Sequence, residues 1–471
     1  MPRFSVVVIA YNAASCIEAC LASIAAQSFQ DFDVVVVDDC STDDTPRIIE
    51  SAIKDDARFR LVRHDSNRKA HLARKTGVEQ TTGDYVLLLD SDDTFNPHLM
   101  ERLAAVYERR TLDILRFGTT VVGAAESDPA TLSAVQKVYN ADTGLREGDD
   151  ILPSVFSDAH QGEVRGTWRV TDCCFRGDVA RDGFAVMTDR MLGRMQDSYE
   201  FFVLADRARS MDTEIDIRGL RYSLGTGVSG TGMQTAGKFD DGQRGIHTSC
   251  QAIMDYAALV GGPVQRRCAS WMKSTILGIV SREWTSRLTL EDQRVVFPSL
   301  KDTWKDDTAD IVLRALVPLE EKILDGAPDA KYLDVIDVIT MRRWFLGQVT
   351  HGLMGDVQLL QRYESVESRL TAWETNTARD ALMQVKKHER ATGRERIAAG
   401  IQASAERRVV IEREKRTLSE FLAMEKSDAK AKVKGAFASR APHLFAAMSR
   451  CWHIAKSANG RAHQMVSAVI L

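Results

Sequence analysis

The sequence predicts an α/β chain, with a doubly wound N-terminal domain followed by a mainly α-helical C-terminal region. Three observations carry this reading. Short apolar runs alternate with helical patterns over residues 1–90, each run ends in polar or acidic residues, and beyond residue 240 the strand-like runs give way to apolar residues at helical spacing.

Residues 4–10 (FSVVVIA) are the first strand, a near-continuous apolar run of the kind buried on both faces of a parallel sheet. It ends in Tyr11-Asn12. Residues 13–27 read as a helix with Ile17, Leu21 and Ile24 on one face. A second strand over 33–37 closes on Asp38-Asp39-Cys40-Ser41-Thr42-Asp43, and the helix after it carries Ile48, Ile49 and Ile53. Residues 58–63 form a third strand and 70–80 a third helix. Residues 85–89 form a fourth strand that runs into Asp90-Ser91-Asp92-Asp93. Strict alternation implies right-handed crossovers, so all four strand ends open on one edge, where open α/β sheets bind ligands. Tyr11, Asp39, Asn67 and Asp90 to Asp93 converge there.

Three carboxylates at that density repel unless a cation neutralises them, and a hard divalent metal with phosphate oxygens as further partners fits best. The competing local reading is an acidic turn in which Asp93 or Thr94 caps a helix before Pro97. The pocket suits a nucleotide. Tyr11 offers a ring to a base, or packs at the strand end. Asp39 can accept from a base N–H or a ribose hydroxyl, while Asp38 serves equally as a helix cap. Of Arg68, Lys69, Arg74 and Lys75, Arg74 is the foremost candidate to neutralise phosphate, although such a cluster is also how a solvated helix face reads.

The successive runs VVVIAYN, VVVVDDCSTDDT and NRKAHLARKTGVEQTTGDYVLLLDSDD resemble family 2 glycosyltransferases with the GT-A fold, over residues 1–230. The resemblance implies a nucleotide-sugar donor, usually a UDP-sugar, a Mg or Mn ion at the DxD motif, and inversion at the anomeric carbon. By position, Tyr11 and Asp39 match the uridine-contacting residues, with Ala10, Asn12, Asn67, Arg74, Asp90 and Ser91 completing the donor site. Asp90 and Asp92 match the DxD pair and would hold the metal. Lys69 stands where many relatives have Gly, and Lys75 where they have Asn; both departures bear on donor identity rather than on fold.

Sugar transfer also needs a group to take the attacking hydroxyl's proton. Family relatives place this base in a Glu-Asp pair opening a later helix, and Met195-Gln196-Asp197-Ser198-Tyr199-Glu200 occupies that position. Asp197 falls on the base, and Gln196 replaces the usual Glu. Taken by itself Asp197 is equally a helix N-terminal charge that the dipole favours, and Glu200 is a second candidate one turn along. Between the motifs lie a strand over 116–122 and a polar stretch over 124–148. Gly166-Thr167-Trp168 and residues 171–175 are expected on the acceptor side, with Trp168 either stacking on a sugar or packing in the core. Residues 220–223 read as the closing strand, and the Gly-rich segment 225–232 as a loop over the donor or a linker.

A net charge of −4 over 471 residues gives nucleic acid no reason to bind. The eight cysteines lack metal-site spacing and read as reduced thiols of a cytoplasmic protein. The first strand begins at once, leaving no room for a signal peptide, and no run reaches the ~18–20 apolar residues of a membrane span. Four segments follow from the pattern: a glycosyltransferase domain over 1–235, a helical accessory domain over 246–373, a long charged helix or coiled-coil segment over 374–428, and a basic amphipathic tail over 429–471. Residues 237–245 read as a polar, Gly-rich junction, and Pro298, Pro318 and Pro328 as punctuation between helices. The accessory domain packs on the catalytic one or forms a homo-oligomer interface. The tail is either a peripheral anchor on the inner face of the membrane or a helix docked on the protein. The expected acceptor is a glycan or lipid-linked glycan. The rival functions are a phospho-acceptor receiver, disfavoured because the acidic pair follows the second strand, and an inactive scaffold acting through its helical half, kept open by Gln196.

Overall fold

A computed structural model describes residues 1–123, 128–158, 165–225 and 232–326, with isolated positions between 345 and 369. The expected charged helix over 374–428, the tail over 429–471 and most of the Gly-rich loop lie outside the described residues. The chain divides into two compact units, Met1–Lys305 and Asp306–Leu471.

In the first unit the elements run β1 (Phe4–Ala10), α1 (Ile17–Ala25), β2 (Phe32–Asp38), α2 (Thr45–Ile53), β3 (Phe59–Arg63), α3 (Lys69–Glu79), β4 (Tyr85–Asp90), β5 (Thr94–Phe95), α4 (Leu99–Tyr107) and β6 (Ile114–Gly123). They continue as α5 (Pro129–Tyr139), β7 (Arg146–Glu147), α6 (Ile151–Phe156), β8 (Cys173–Arg176), α7 (Gly177–Val186), α8 (Gln196–Arg207) and β9 (Ser210–Leu224). Helices α9 (Ala236–Val260), α10 (Pro263–Ser286) and α11 (Leu290–Trp304) complete it. The described part of the second unit is mainly α12 (Thr308–Gly326).

Strands β3-β2-β1-β4 are parallel and contiguous, as their apolar runs require, and they continue through β8, β6, β9 and β5. Strand β8 is antiparallel to both β4 and β6, so the sheet is mixed. Val6, Val8, Val34, Val36, Leu87 and Leu89 are fully buried on one side against α1 and α4. Val35 and Val37 point the other way, where they pack with Ala73 of α3. A Cβ at Gly77 would fall on Val7 Cγ1 and lie 3.3 Å from Val37 Cγ2, so α3 can approach β1 only through a glycine.

The register sets the functional edge: Ala10 lies opposite Asp38, and Ile9 opposite Asp90. The ends of β1, β2 and β4 are therefore level, and the segments after them share one rim. Neither Asp93 nor Thr94 caps a helix; α4 starts at Leu99 behind His98, and Asp93 accepts from Ser223 N–H on β9 at 2.9 Å. The polar stretch after β6 contains helix α5, opened by Pro129 with Asp128 as its side-chain cap. The Gly-rich segment at 237–245 is the first part of α9. Arg194 packs against Gly242 and Gly245 within that helix; a Cβ on Gly242 would sit 2.8 Å from Arg194 Nη1. Pro298 and Pro318 lie inside α11 and α12 rather than between helices. Trp168 stacks on Phe156 with ring centroids 6.4 Å apart, a packing contact.

Cys20, Cys173, Cys174, Cys250 and Cys268 are buried, Cys16 and Cys40 are partly exposed, and all seven are free thiols. Among the described residues no helix is long and apolar enough to cross a membrane.

Candidate active site

The rim begins where β1 ends. Asn12 takes a left-handed backbone, φ +50, and its Oδ1 accepts from Thr42 N–H at 2.8 Å, while its own N–H donates to Ser41 Oγ. This exchange ties the β1 and β2 ends together and leaves Tyr11 48 % exposed at the opening. Ala10 is buried, and its carbonyl accepts from Asp39 N–H at 2.9 Å.

Asp39 is buried. Its Oδ1 accepts from Arg68 N–H at 2.8 Å and faces His64 Nδ1 at 2.7 Å, while Oδ2 accepts from Lys69 N–H at 2.8 Å. A carboxylate that collects two successive backbone N–H groups fixes the loop carrying them. That loop includes Lys69 at φ +70, a conformation glycine adopts without strain. Asn67 donates to the Asp39 carbonyl at 3.2 Å, and its own Oδ1 is buried without a protein partner. A buried acceptor left open in this way matches an incoming N–H or hydroxyl.

Helix α3 supplies the centre. Arg74 is buried, and its fork reaches two carboxylates: Nη2 donates to Asp90 Oδ1 at 2.6 Å and Nη1 to Glu200 Oε2 at 2.8 Å. Burial alone would lower the guanidinium's pKa, but Asp90 and Glu200 outweigh it and hold the group charged. Three residues earlier on the same helix face, His71 is fully buried. Its Nε2 lies 2.9 Å from the Thr188 carbonyl, which only accepts, so that nitrogen carries hydrogen. Its Nδ1 lies 2.9 Å from Glu200 Oε1, so one proton is shared between the two. Glu200 is fully buried and held from both sides, which makes it a bracing group and leaves Asp197 as the carboxylate at the start of α8.

Asp197 occupies the second position of α8, behind Met195 at φ +55. Burial raises its carboxyl to about 6; Arg74 opposes the rise, while Glu200 and Asp90 add to it. Arg74, which bonds both Asp90 and Glu200, ties the β4 end to the first turns of α8. Asp93 is pushed up to about 8, first by burial and then by the charge of Asp90, with Ser223 N–H opposing.

Asp90 and Asp92 are partly exposed and so open to an incoming ion. Among the described residues no group of three or more His, Cys, Asp or Glu side chains gathers as a metal cluster. Two carboxylates suit a hard divalent ion whose remaining ligands are phosphate and water, and the strain that Asp90 and Asp92 impose on Asp93 is what a cation there would relieve. The donor set fits such an ion at Asp90 and Asp92.

The rim thus brings together Ala10, Tyr11, Asn12, Asp39, Asn67 and the segment from Asp90 through Ser91 to Asp92, and α8 delivers Asp197. Arg74 lies beneath the rim as a brace. Lys75 turns away, donating to the Met187 carbonyl at 2.9 Å and to Asp189 at 2.7 Å. His64, His71 and Arg194 escaped the sequence reading. For His71 the signal was present, because it stands three residues before Arg74 on α3, just as Asp197 stands three before Glu200 on α8.

Residues 5–151 match the family model described as Glycosyl transferase family 2. Similar curated proteins include the uncharacterized glycosyltransferase EpsJ of Bacillus subtilis, 33% identical over 118 residues, which are 25% of this chain and 34% of that protein. The succinoglycan biosynthesis protein ExoO of Rhizobium meliloti is 41% identical over 103 residues, 22% of this chain and 29% of its own. The chain thus spans about a third of the length of such relatives. A solved structure of S. aureus TarS residues 1–349 in complex with UDP-GlcNAc aligns with a TM-score of 0.47 at 18% identity, covering 74% of this chain and 93% of that one.

Proposed function

This chain carries a family 2 glycosyltransferase domain, and from that premise we propose that it transfers a sugar from a nucleotide-diphosphate donor, a UDP-sugar, to a hydroxyl of a glycan or lipid-linked glycan. The observation that carries the reading is the convergence of the β4 end with the start of α8 through Arg74, which bonds Asp90 directly and holds down the carboxyl of Asp197.

In this reading the base stacks against Tyr11 and is bonded through the open Asn67 Oδ1. Asp39 keeps the 67–69 loop in shape, and the ribose and diphosphate run along Ala10 to Asn12 toward Ser91. Asp90 and Asp92 would hold the Mg or Mn ion, which when bound neutralises charge developing on the leaving diphosphate. The acceptor oxygen attacks the anomeric carbon from the face opposite the diphosphate, forming the new C–O bond as the bond to the β-phosphate oxygen breaks, with inversion. Asp197 takes the hydroxyl proton, and a carboxyl poised near 6 does so at neutral pH. The cytoplasm, which holds nucleotide-sugars, is the compartment this requires. The helices after residue 235 serve as an accessory segment to the catalytic domain, and a basic tail at 429–471 would bring the enzyme to a lipid-linked acceptor.

A thermal-shift screen of UDP-, GDP- and dTDP-sugars with and without Mn tests the reading, since binding to the native state raises the melting temperature with occupancy. Cation-dependent stabilisation by one UDP-sugar is expected, followed by transfer or slow hydrolysis of that donor. No stabilisation by any donor would sink it, and binding without turnover would favour the inactive-scaffold alternative.

A further inference from the structure

The turn that brings Asp197 to the cleft is held from helices that lie outside the matched family domain. Residues 187–195, between α7 and α8, are pinned along their length. Thr188 N–H donates to Tyr199 Oη at 2.9 Å, and His71 N–H reaches the Leu192 carbonyl at 3.4 Å. Arg190 pairs with Asp255 on α9 at 2.7 Å, but both side chains are about half exposed, which makes that pair weak.

Arg194 is different. Its Nη1 and Nη2 donate to the two oxygens of Glu283 on α10 at 2.9 and 2.8 Å, a bidentate pair with both side chains largely buried. Ser249 on α9 donates to the Arg194 carbonyl at 2.7 Å, and Gly242 and Gly245 leave the room its side chain needs. The next residue, Met195, is the left-handed one, and Ser198 Oγ closes the turn on the Met195 carbonyl at 2.6 Å. A side-chain-bearing residue persists in that backbone only where its surroundings over-determine it. Here they do so through Arg194 on one side and Ser198 on the other. Glu283 also accepts from Arg287, whose Nε donates to the Gly232 carbonyl at 2.9 Å, so a single carboxylate fixes both the turn before α8 and the chain entering α9.

We propose that Glu283, acting through Arg194, is a positioning residue for the transfer reaction: it fixes the turn at Met195 and hence the place of the Asp197 carboxylate. This rests on the reading of Asp197 as the base. It also gives the helices after residue 235 a task in the reaction rather than a role as mere packing.

The test uses the full chain with two substitutions. Glu283→Gln removes the charge while keeping the shape, and Ser249→Ala releases the same turn with less disturbance to folding. Hydrogen exchange reports the turn directly, and steady-state kinetics with the donor found by thermal shift separates kcat from KM. Amides of residues 195–198 are expected to exchange about tenfold faster in Glu283→Gln, while those of β1, β2 and β4 stay protected. The kcat is expected to fall about tenfold or more with donor KM within about threefold, because misplacing a base by about 1 Å costs turnover rather than donor affinity. Ser249→Ala is expected to show the same pattern at smaller size. Unchanged exchange at 195–198, unchanged kcat, or a rise in KM that accounts for the whole loss would each overturn the proposal. If the unsubstituted chain binds no donor, the underlying reading of the site is what has failed; a normal enzyme with normal variants sinks only the role of Glu283.

Discussion

Arg74 Nη2 lies 2.6 Å from Asp90 Oδ1, a contact buried on the arginine side and open to solvent on the aspartate side. The same guanidinium spends its other fork on fully buried Glu200. The orientation of Asp90 at the rim is thereby coupled to the placement of α8 through the two Nη groups, while Arg74 Nε is buried without a partner.

Replacing Arg74 by Ala should therefore be costly, because it leaves buried Glu200 with His71 alone and removes the guanidinium from Asp90. Breaking a buried pair from one side costs about 3–5 kcal/mol, and denaturant unfolding should show a loss of that order. Arg74→Lys keeps the charge but lacks the planar fork that spans two carboxylates. An intermediate loss is expected, with weakened donor binding in calorimetry. A lysine variant as stable and as competent as the parent would show that bridging is unimportant.

Asp197→Asn should fold, bind donor and transfer almost no sugar. The pH dependence follows from the carboxyl near 6. As a base it works deprotonated, so kcat/KM should rise with pH through about 6 and level off above. For stability the sign is reversed: the native state binds this proton more tightly than the unfolded chain, so stability falls as pH rises from about 4 to about 6. The asparagine variant lacks that loss and should unfold at higher denaturant than the parent at neutral pH, with the gap closing below about pH 4. A flat activity profile between pH 5 and 7 would remove Asp197 from the role.

Gly77→Ala tests the approach of α3 to the sheet. Its Cβ would collide with Val7 Cγ1 on β1, and overpacking of this kind costs about 1–3 kcal/mol. Because α3 also carries His71 and Arg74, donor affinity should fall together with stability. Equal thermal midpoints for variant and parent would mean that the helix shifts without penalty.

Lys69→Gly tests the left-handed position. A side-chain-bearing residue at φ +70 carries a cost of about 1–2 kcal/mol that glycine avoids, offset by about 0.5–1 kcal/mol of extra unfolded-state freedom. The backbone N–H that donates to Asp39 Oδ2 is retained. Stability should stay level or rise by up to about 1 kcal/mol in chemical denaturation; a clear loss would show that the lysine stem packing near Gly193 matters more than the backbone.

The parallel half of the sheet was legible because β1, β2 and β4 are buried on both faces and therefore mostly apolar, and because the acidic ends of β2 and β4 declare the edge. The place of Asp197 at the start of a helix follows from sequence position alone. The rest depended on contacts that leave no local mark. Arg194 and Glu283 stand 89 residues apart on segments with unrelated patterns, and nothing in either neighbourhood signals the pairing. The glycines at 237–245 read as a junction because glycine weakens a helix, whereas here Gly242 and Gly245 lie within a helix against Arg194. Helix α5 leaves little trace in the sequence because none of its residues is buried, so it imposes little apolar periodicity. Arg74 reads in sequence as a phosphate ligand, but its depth below the rim depends on the buried Glu200 that it bonds.

The distribution of thiols has a practical corollary. Burial pushes the thiols of Cys20 and Cys173 well above the ordinary range, Cys174 to about 12 and Cys268 to about 11, and Cys16 is raised by burial and by the nearby charge of Asp92. Alkylation requires access, and among the described residues Cys40 is one of the two thiols that are not buried. It follows Asp39 directly, and a fluorophore attached there would act as an optical gauge of donor arrival with no engineered cysteine.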